Sequence, residues 1–273
     1  MGRFDGKRAR GIPNYRRIMP FLMRRRNESV VYFKQTIDLE AASEWIADFN
    51  GRHDERITVF HVALAAIAKT LHERPRLNRF VSGRKLYQRK GVWLSFAAKK
   101  GMNDDAPLSV IRREFPKGEP FLDFVRSLRG DIQVARSDEQ SSVDKELRLA
   151  FKFPAPVIGA GVRVIEALDR WNLAPKALIG EDPMYSSAFV ANLGSLKIDA
   201  AYHHLYEHGN NPIFVTIGRI AKRPMVIDDE VVPRLSVELK YSYDERIEDG
   251  FYCAQSISLI QERIADPASW CES

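Results

Sequence analysis

Cysteine is scarce in this chain, with Cys253 and Cys271 alone among 273 residues. Two thiols cannot build a disulfide framework, and their positions have no metal-ligand spacing. Long apolar runs are missing as well. No stretch approaches the roughly 20 residues of a membrane-spanning helix, and none after the N-terminus resembles a secretory core. Solenoid-period repeats are absent too. A cytoplasmic protein with reduced thiols is the expectation. What remains is globular: 45% hydrophobic residues suffice to bury a sizeable core.

The net charge of +6 is unevenly placed. The first 26 residues hold nine Lys or Arg against one acid, Asp5, whereas the remainder has 33 basic and 35 acidic residues. Basicity thus belongs to one end, which argues against a broad nucleic-acid face on the fold. Residues 1–12, charged and without periodicity, are expected to form a disordered basic arm able to contact acidic partners. Residues 13–273 are expected to form one domain.

Hydrophobic periodicity sketches that domain. Tyr15–Met23 reads as a short helix around Pro20, Val30–Asp38 as a strand and Leu39–Phe49 as an amphipathic helix. Thr58–Leu71 is apolar almost all round, a buried helix capped by Thr58. Ser82-Gly83 marks a hairpin, Gly91–Ala98 and Leu108–Arg112 further strands, and Phe121–Val134 a helix. Past a polar stretch from Ser137, Val157–Trp171 reads as a helix, then Pro175, Gly180 and Pro183 mark a long connection. Ser187–Ala191, Phe214–Ile220, a hairpin over Met225–Val232 and Leu235–Tyr243 read as strands before a closing helix, Phe251–Ala265. Strict βα alternation is lacking, so the fold class is α+β.

Tyr241 to Gly250 runs YSYDERIEDG before that closing helix, and 191–195 reads ANLGS. Upstream stand the basic segment from Ile12 to Met23, Pro75-Arg76-Leu77-Asn78 after the buried helix, and Pro107–Arg112. Together with Pro212–Ile220 and the hairpin after it, these segments resemble, in order and spacing, the catalytic domain of the 2-oxo acid dehydrogenase acyltransferases. The resemblance covers roughly residues 12–136 and 185–267, leaving an unmatched insertion at about 137–184. It implies the chloramphenicol-acetyltransferase-like fold, a mixed sheet flanked by helices. It also implies a homotrimer with active sites between subunits, or a larger assembly, with coenzyme A or an acyl-coenzyme A as cofactor. The chain is expected to be a standalone member without a lipoyl domain.

The family writes its closing motif D-H-R-x-x-D-G. Asp244, Arg246, Asp249 and Gly250 match, but Glu245 stands where the catalytic histidine belongs. Ala191, followed by Asn192, stands where the family's S-N-L-G offers an oxyanion-binding serine. Acyl transfer from a thioester needs a base for the attacking group and donors for the oxyanion. Imidazole suits the first role, and an isolated glutamate carboxyl, ionising near about 4.3, is a poorer match unless burial raises it. The resemblance makes Asp249 and Arg246 architectural, the aspartate being held by an arginine salt bridge with Arg16 or Arg17 as candidates. Gly250 is expected to permit a tight turn.

His203, His204 and His208 lie in the loop after the Ala191 strand. At i, i+4 spacing His204 and His208 could supply a substitute base or a metal site; as a surface loop or trimer contact they have no chemistry. No metal is expected overall. His61, His72 and Cys253 read as structural. Two functions follow: a catalytically degenerate trimer serving an unknown protein partner as a binding or assembly module, or an active coenzyme A-dependent acyltransferase using Glu245 or a loop histidine.

Overall fold

Nine consecutive residues rich in β-branched and aromatic side chains, Val30–Asp38, form strand β2. The computed structural model describes residues 3–99, 108–136 and 150–271. In chain order its elements begin with β1 (Gly6–Arg8), α1 (Asn14–Leu22), β2, α2 (Glu40–Arg52), α3 (Val59–Glu73), β3 (Arg79–Ser82) and β4 (Lys85–Arg89). Next come β5 (Trp93–Lys99), β6 (Leu108–Glu114), α4 (Phe121–Arg136), α5 (Ala155–Arg170) and α6 (Lys176–Ile179). The chain ends with β7 (Ala188–Asn192), β8 (Ile213–Ile217), β9 (Ala221–Ile227), β10 (Glu230–Asp244), α7 (Gly250–Ala265) and α8 (Ala268–Cys271).

The main sheet runs β2-β10-β8-β7-β5-β6, with β9 added to the outer half of β10. β5, β7 and β8 are mutually parallel and the remaining pairs antiparallel, so the sheet is mixed and the α+β reading holds. Helix α3 explains the core. Nine of its fifteen residues are buried, as its nearly uniform apolarity requires. Thr58 precedes it in extended conformation and gives its N–H to His61 Nδ1 at 3.2 Å, closing the first turn. Ile67 and Leu71 of α3 meet Tyr241 and Tyr243 of β10 and Ile257 and Ile260 of α7 around one small apolar void.

A second sheet, β1-β4-β3, corrects the expectation of a disordered arm. Residues 3–12 are folded: Gly6, Lys7 and Arg8 pair with Arg89, Gln88 and Tyr87. Arg3 is buried, with Asp5 at 2.8 Å, Asp169 at 2.6 Å and Ser82 at 2.9 Å. Burial alone would raise the Asp5 carboxyl, yet Arg3 and Arg89 hold it below its ordinary value. A guanidinium forked between two carboxylates can stay buried, whereas alone it could not. Gly83 and Arg84 turn the β3–β4 hairpin with positive φ, the conformation a two-residue turn requires. A Cβ on Gly83 would stand 2.2 Å from the Arg170 carbonyl oxygen, so α5 ends directly on this turn. Of the expected insertion, residues 137–149 lie outside the described residues. Its described part holds α5, largely exposed and fastened at Asp169 and Arg170.

Candidate active site

Strand β10 leaves the core at Asp244 and the chain turns through residues 245–249 into α7. That corner is built from charge pairs. Asp244 and Arg246 form a buried two-pronged fork, Nε to Oδ1 at 2.8 Å and Nη2 to Oδ2 at 2.7 Å. Ser29 Oγ gives Oδ1 a further bond at 2.9 Å, and Arg246 Nη1 reaches the Met23 carbonyl at 3.1 Å. Arg246 therefore pairs within the corner and ties it to the segment after α1.

Asp249 departs from expectation. Among the described residues it has no arginine salt bridge; its Oδ1 accepts the Tyr252 N–H at 2.9 Å, which makes it the N-cap of α7. That bond lowers its carboxyl below the ordinary aspartate value. An aspartate just before an apolar helical run is a cap signal readable in the sequence, and the expected salt bridge obscured it. Arg16 instead gives Nη1 to the Glu245 carbonyl at 2.5 Å, and its buried Nε has no hydrogen-bond partner among the described residues. Gly250 adopts no left-handed conformation, and an added Cβ would come no nearer than 3.9 Å to Tyr243 Oη. Tight-turn geometry is not its reason.

Glu248 is a residue the sequence reading missed. Buried, it accepts from Arg79 at 2.8 Å with Arg76 at 3.5 Å, both from the turn around Pro75–Asn78. Arg74 and Arg76 lie over the Tyr252 ring at 3.9 and 4.1 Å. The turn after α3 thus braces the start of α7. Among the four acids of the corner, Asp244, Glu248 and Asp249 have these partners. The half-buried Glu245 carboxylate has none among the described residues, although its N–H is held by the Ser29 carbonyl at 2.9 Å.

Ala191 lies elsewhere. It pairs with Thr216 of β8, and Thr216 with Lys240 of β10. Glu245 is five residues beyond Lys240, about 17 Å along a strand and two strand spacings across. The fold does not bring Ala191 and Glu245 together in one chain. Asn192 acts locally, its Oδ1 taking the Ser195 N–H at 3.2 Å and its carbonyl the Ser195 hydroxyl at 2.7 Å. Gly194 abuts the end of β8, where a Cβ would stand 2.5 Å from the Gly218 oxygen.

The histidine loop is not helical, so the i, i+4 argument for His204 and His208 fails. His203 stacks on Phe214 with centroids 3.9 Å apart, and His204 Nδ1 lies 3.1 Å from the Leu205 carbonyl. Among the described residues no group of three ligands could hold a metal. His208 Nε2 sits 2.8 Å from Asp182, with Glu166 of α5 3.8 Å from Nδ1. The Asp182 bond raises the imidazole above its ordinary value against the opposing effect of burial. This pair stabilises the fold fully below the unfolded pKa, about 6.5, and the contribution is lost as pH rises through the raised folded value. Urea midpoints measured between roughly pH 5.5 and 8.5 are expected to fall with pH, and His208→Gln to flatten that dependence. An equal slope in both proteins would exclude His208 as its source.

Residues 175–272 match the family model described as 2-oxoacid dehydrogenases acyltransferase (catalytic domain). No curated protein matches the chain by sequence. Among solved structures, the dihydrolipoamide acetyltransferase of Azotobacter vinelandii is 18% identical over 96% of this chain and 94% of that one, with a TM-score of 0.60. A truncated catalytic core of the 2-oxoacid dehydrogenase multienzyme complex from Thermoplasma acidophilum is 14% identical, covering 96% and 99%, with a TM-score of 0.60. A chloramphenicol acetyltransferase is 12% identical over 96% and 98%, with a TM-score of 0.57. Residues 175–272 are therefore similar to the catalytic domain of the 2-oxoacid dehydrogenase acyltransferases, and the chain has the fold seen in such a catalytic core and in chloramphenicol acetyltransferase.

Proposed function

We propose that this chain is a catalytically degenerate relative of those acyltransferases, assembling as a homotrimer and serving as a binding or assembly module. One observation supports the reading: the motif residues Asp244, Arg246, Asp249 and Gly250 are present, while Glu245 and Ala191 stand at the positions of the family's histidine and serine. The Asp244–Arg246 fork and the Asp249 cap hold position 245 in place, yet it bears a carboxylate, and position 191 bears a methyl group. In the Azotobacter vinelandii enzyme a serine and a histidine, with an asparagine, are studied for their part in the catalytic mechanism. Loss of a base costs about 10²–10⁴-fold, and loss of one oxyanion donor about 10²–10³-fold.

The separation of Ala191 from Glu245 supports the trimer. A site using both positions needs two chains, and position 191 of one subunit must meet position 245 of the next. The Thermoplasma acidophilum relative is itself the core of a multienzyme complex. Coenzyme A or an acyl-coenzyme A is the ligand such an interface would retain.

A second reading rests on Glu245 itself. Its carboxylate lacks a partner among the described residues and is half-buried, which leaves it free to act as a base in an active transferase. Sedimentation equilibrium is expected to give three times the 31.2 kDa chain mass. Acetyl-coenzyme A with dihydrolipoamide is expected to give no turnover above buffer. Turnover abolished by Glu245→Gln would establish the second reading instead, and a monomer at all concentrations would remove the trimer.

A further inference from the structure

Of the nine basic residues in the first 26, Arg3, Arg16 and Arg26 are buried and the other six exposed or half-buried. The acids nearby offset them only in part: Asp5 is taken by Arg3, and Glu28 is a single carboxylate, held by the N–H groups of Arg24 and Arg25. Helix α1 lies within this run. It turns Arg16 and Pro20 inward and leaves Tyr15 and Leu22 exposed at 60% and 69%, with Ile18 and Phe21 both at 48%.

This face does not end with the helix. The Arg84 guanidinium, at the β3–β4 turn, stands 5.5 Å from the centre of the Phe21 ring. Gly83 beside it abuts the Arg170 carbonyl, and the next residue, Trp171, is 73% exposed. α1, the hairpin turn and the end of α5 thus form one strip of large apolar side chains set among arginines.

We propose that this strip docks the chain on an anionic membrane surface. Phe21, Leu22 and Trp171 enter the interface, while Arg17, Arg24, Arg25 and Arg84 face the headgroup phosphates. Exposed aromatic and aliphatic side chains amid cations are the composition of interfacial binding. Nucleic acid would use the rings of Phe21 and Trp171 but has no use for Ile18 and Leu22, which offer neither stacking nor hydrogen bonds. A second copy seated strip to strip would set arginine against arginine, and a heterologous trimer contact over the strip is told apart by the oligomeric mass measured below.

The test is co-sedimentation of the full chain with vesicles of phosphatidylcholine alone and of equimolar phosphatidylcholine and phosphatidylserine. Binding to the mixed vesicles alone is expected. Phe21→Ser with Leu22→Ser should weaken it about tenfold or more, and Arg24→Glu with Arg25→Glu by a similar factor. All four side chains are exposed, so circular dichroism should be unchanged. Four results would each overturn the proposal. These are no sedimentation with either vesicle, equal binding to both, binding untouched by the Phe21 and Leu22 changes, and capture by a single-stranded oligonucleotide in preference to vesicles. A changed oligomeric mass in the Phe21 and Leu22 variant would overturn it too, by assigning the strip to contacts between copies.

Discussion

Glu245→His combined with Ala191→Ser is expected to raise acetyl transfer from acetyl-coenzyme A to dihydrolipoamide by about 10⁴-fold, read as S-acetyldihydrolipoamide formed. The base contributes at least about 10² of that, and the oxyanion donor a comparable factor. Each single change should gain far less than the pair, because groups that act as a unit are not additive. The backbone favours the experiment. Position 245 is fixed through its own N–H and carbonyl, bound by Ser29 and Arg16, so its path does not depend on the side chain. Position 191 lies in a paired strand where a hydroxyl adds one atom. A folded double variant no faster than the parent would mean that more than two groups have been lost.

The largest structural effect is expected at Asp244. Asp244→Ala leaves the Arg246 guanidinium buried without its fork, which costs about 3–5 kcal/mol. For a chain of this size the melting temperature should fall by roughly 10 °C. Asp244→Ala with Arg246→Met should be less harmful than Asp244→Ala alone, since no uncompensated charge remains. Equal losses in the two variants would show that the fork contributes little beyond packing.

Much of this architecture can be read from the residues. Val30–Asp38 announces its strand, Thr58 and the apolar run after it announce the central helix, and Gly83 announces its hairpin. In each case the signal is local: side-chain period, cap or turn conformation. The failures share a cause as well. Gly6-Lys7-Arg8 has the composition of a solvated end, and becomes a strand only because β4 offers an edge and Arg3 finds Asp169. Nothing near Arg3 in sequence signals that pairing. The motif located the corner, but its ion pairs were legible only in part. Glu248–Arg79 is a tertiary fact, whereas the Asp244–Arg246 pair is local and the Asp249 cap was there to be read. The separation of Ala191 from Glu245 depends on strand order, which local patterns do not encode.

The folded N-terminus constrains the order in which the molecule can be completed during synthesis. Arg3 meets Asp169 across 166 residues, and Asp5 receives Asn210 across 205. Strand β4 leaves the ribosome early, so β1 can pair soon after its own emergence, but Arg3 then lacks Asp169 and Asp5 lacks Asn210. Contacts of such long range close late and slowly. A nascent chain stopped before residue 169 could pair β1 with β4 and set Arg3 against Ser82, but would lack the Asp169 carboxylate and the Asn210 amide that complete the cluster. Strand β1 is thus completed only when residues 169 and 210 have joined it.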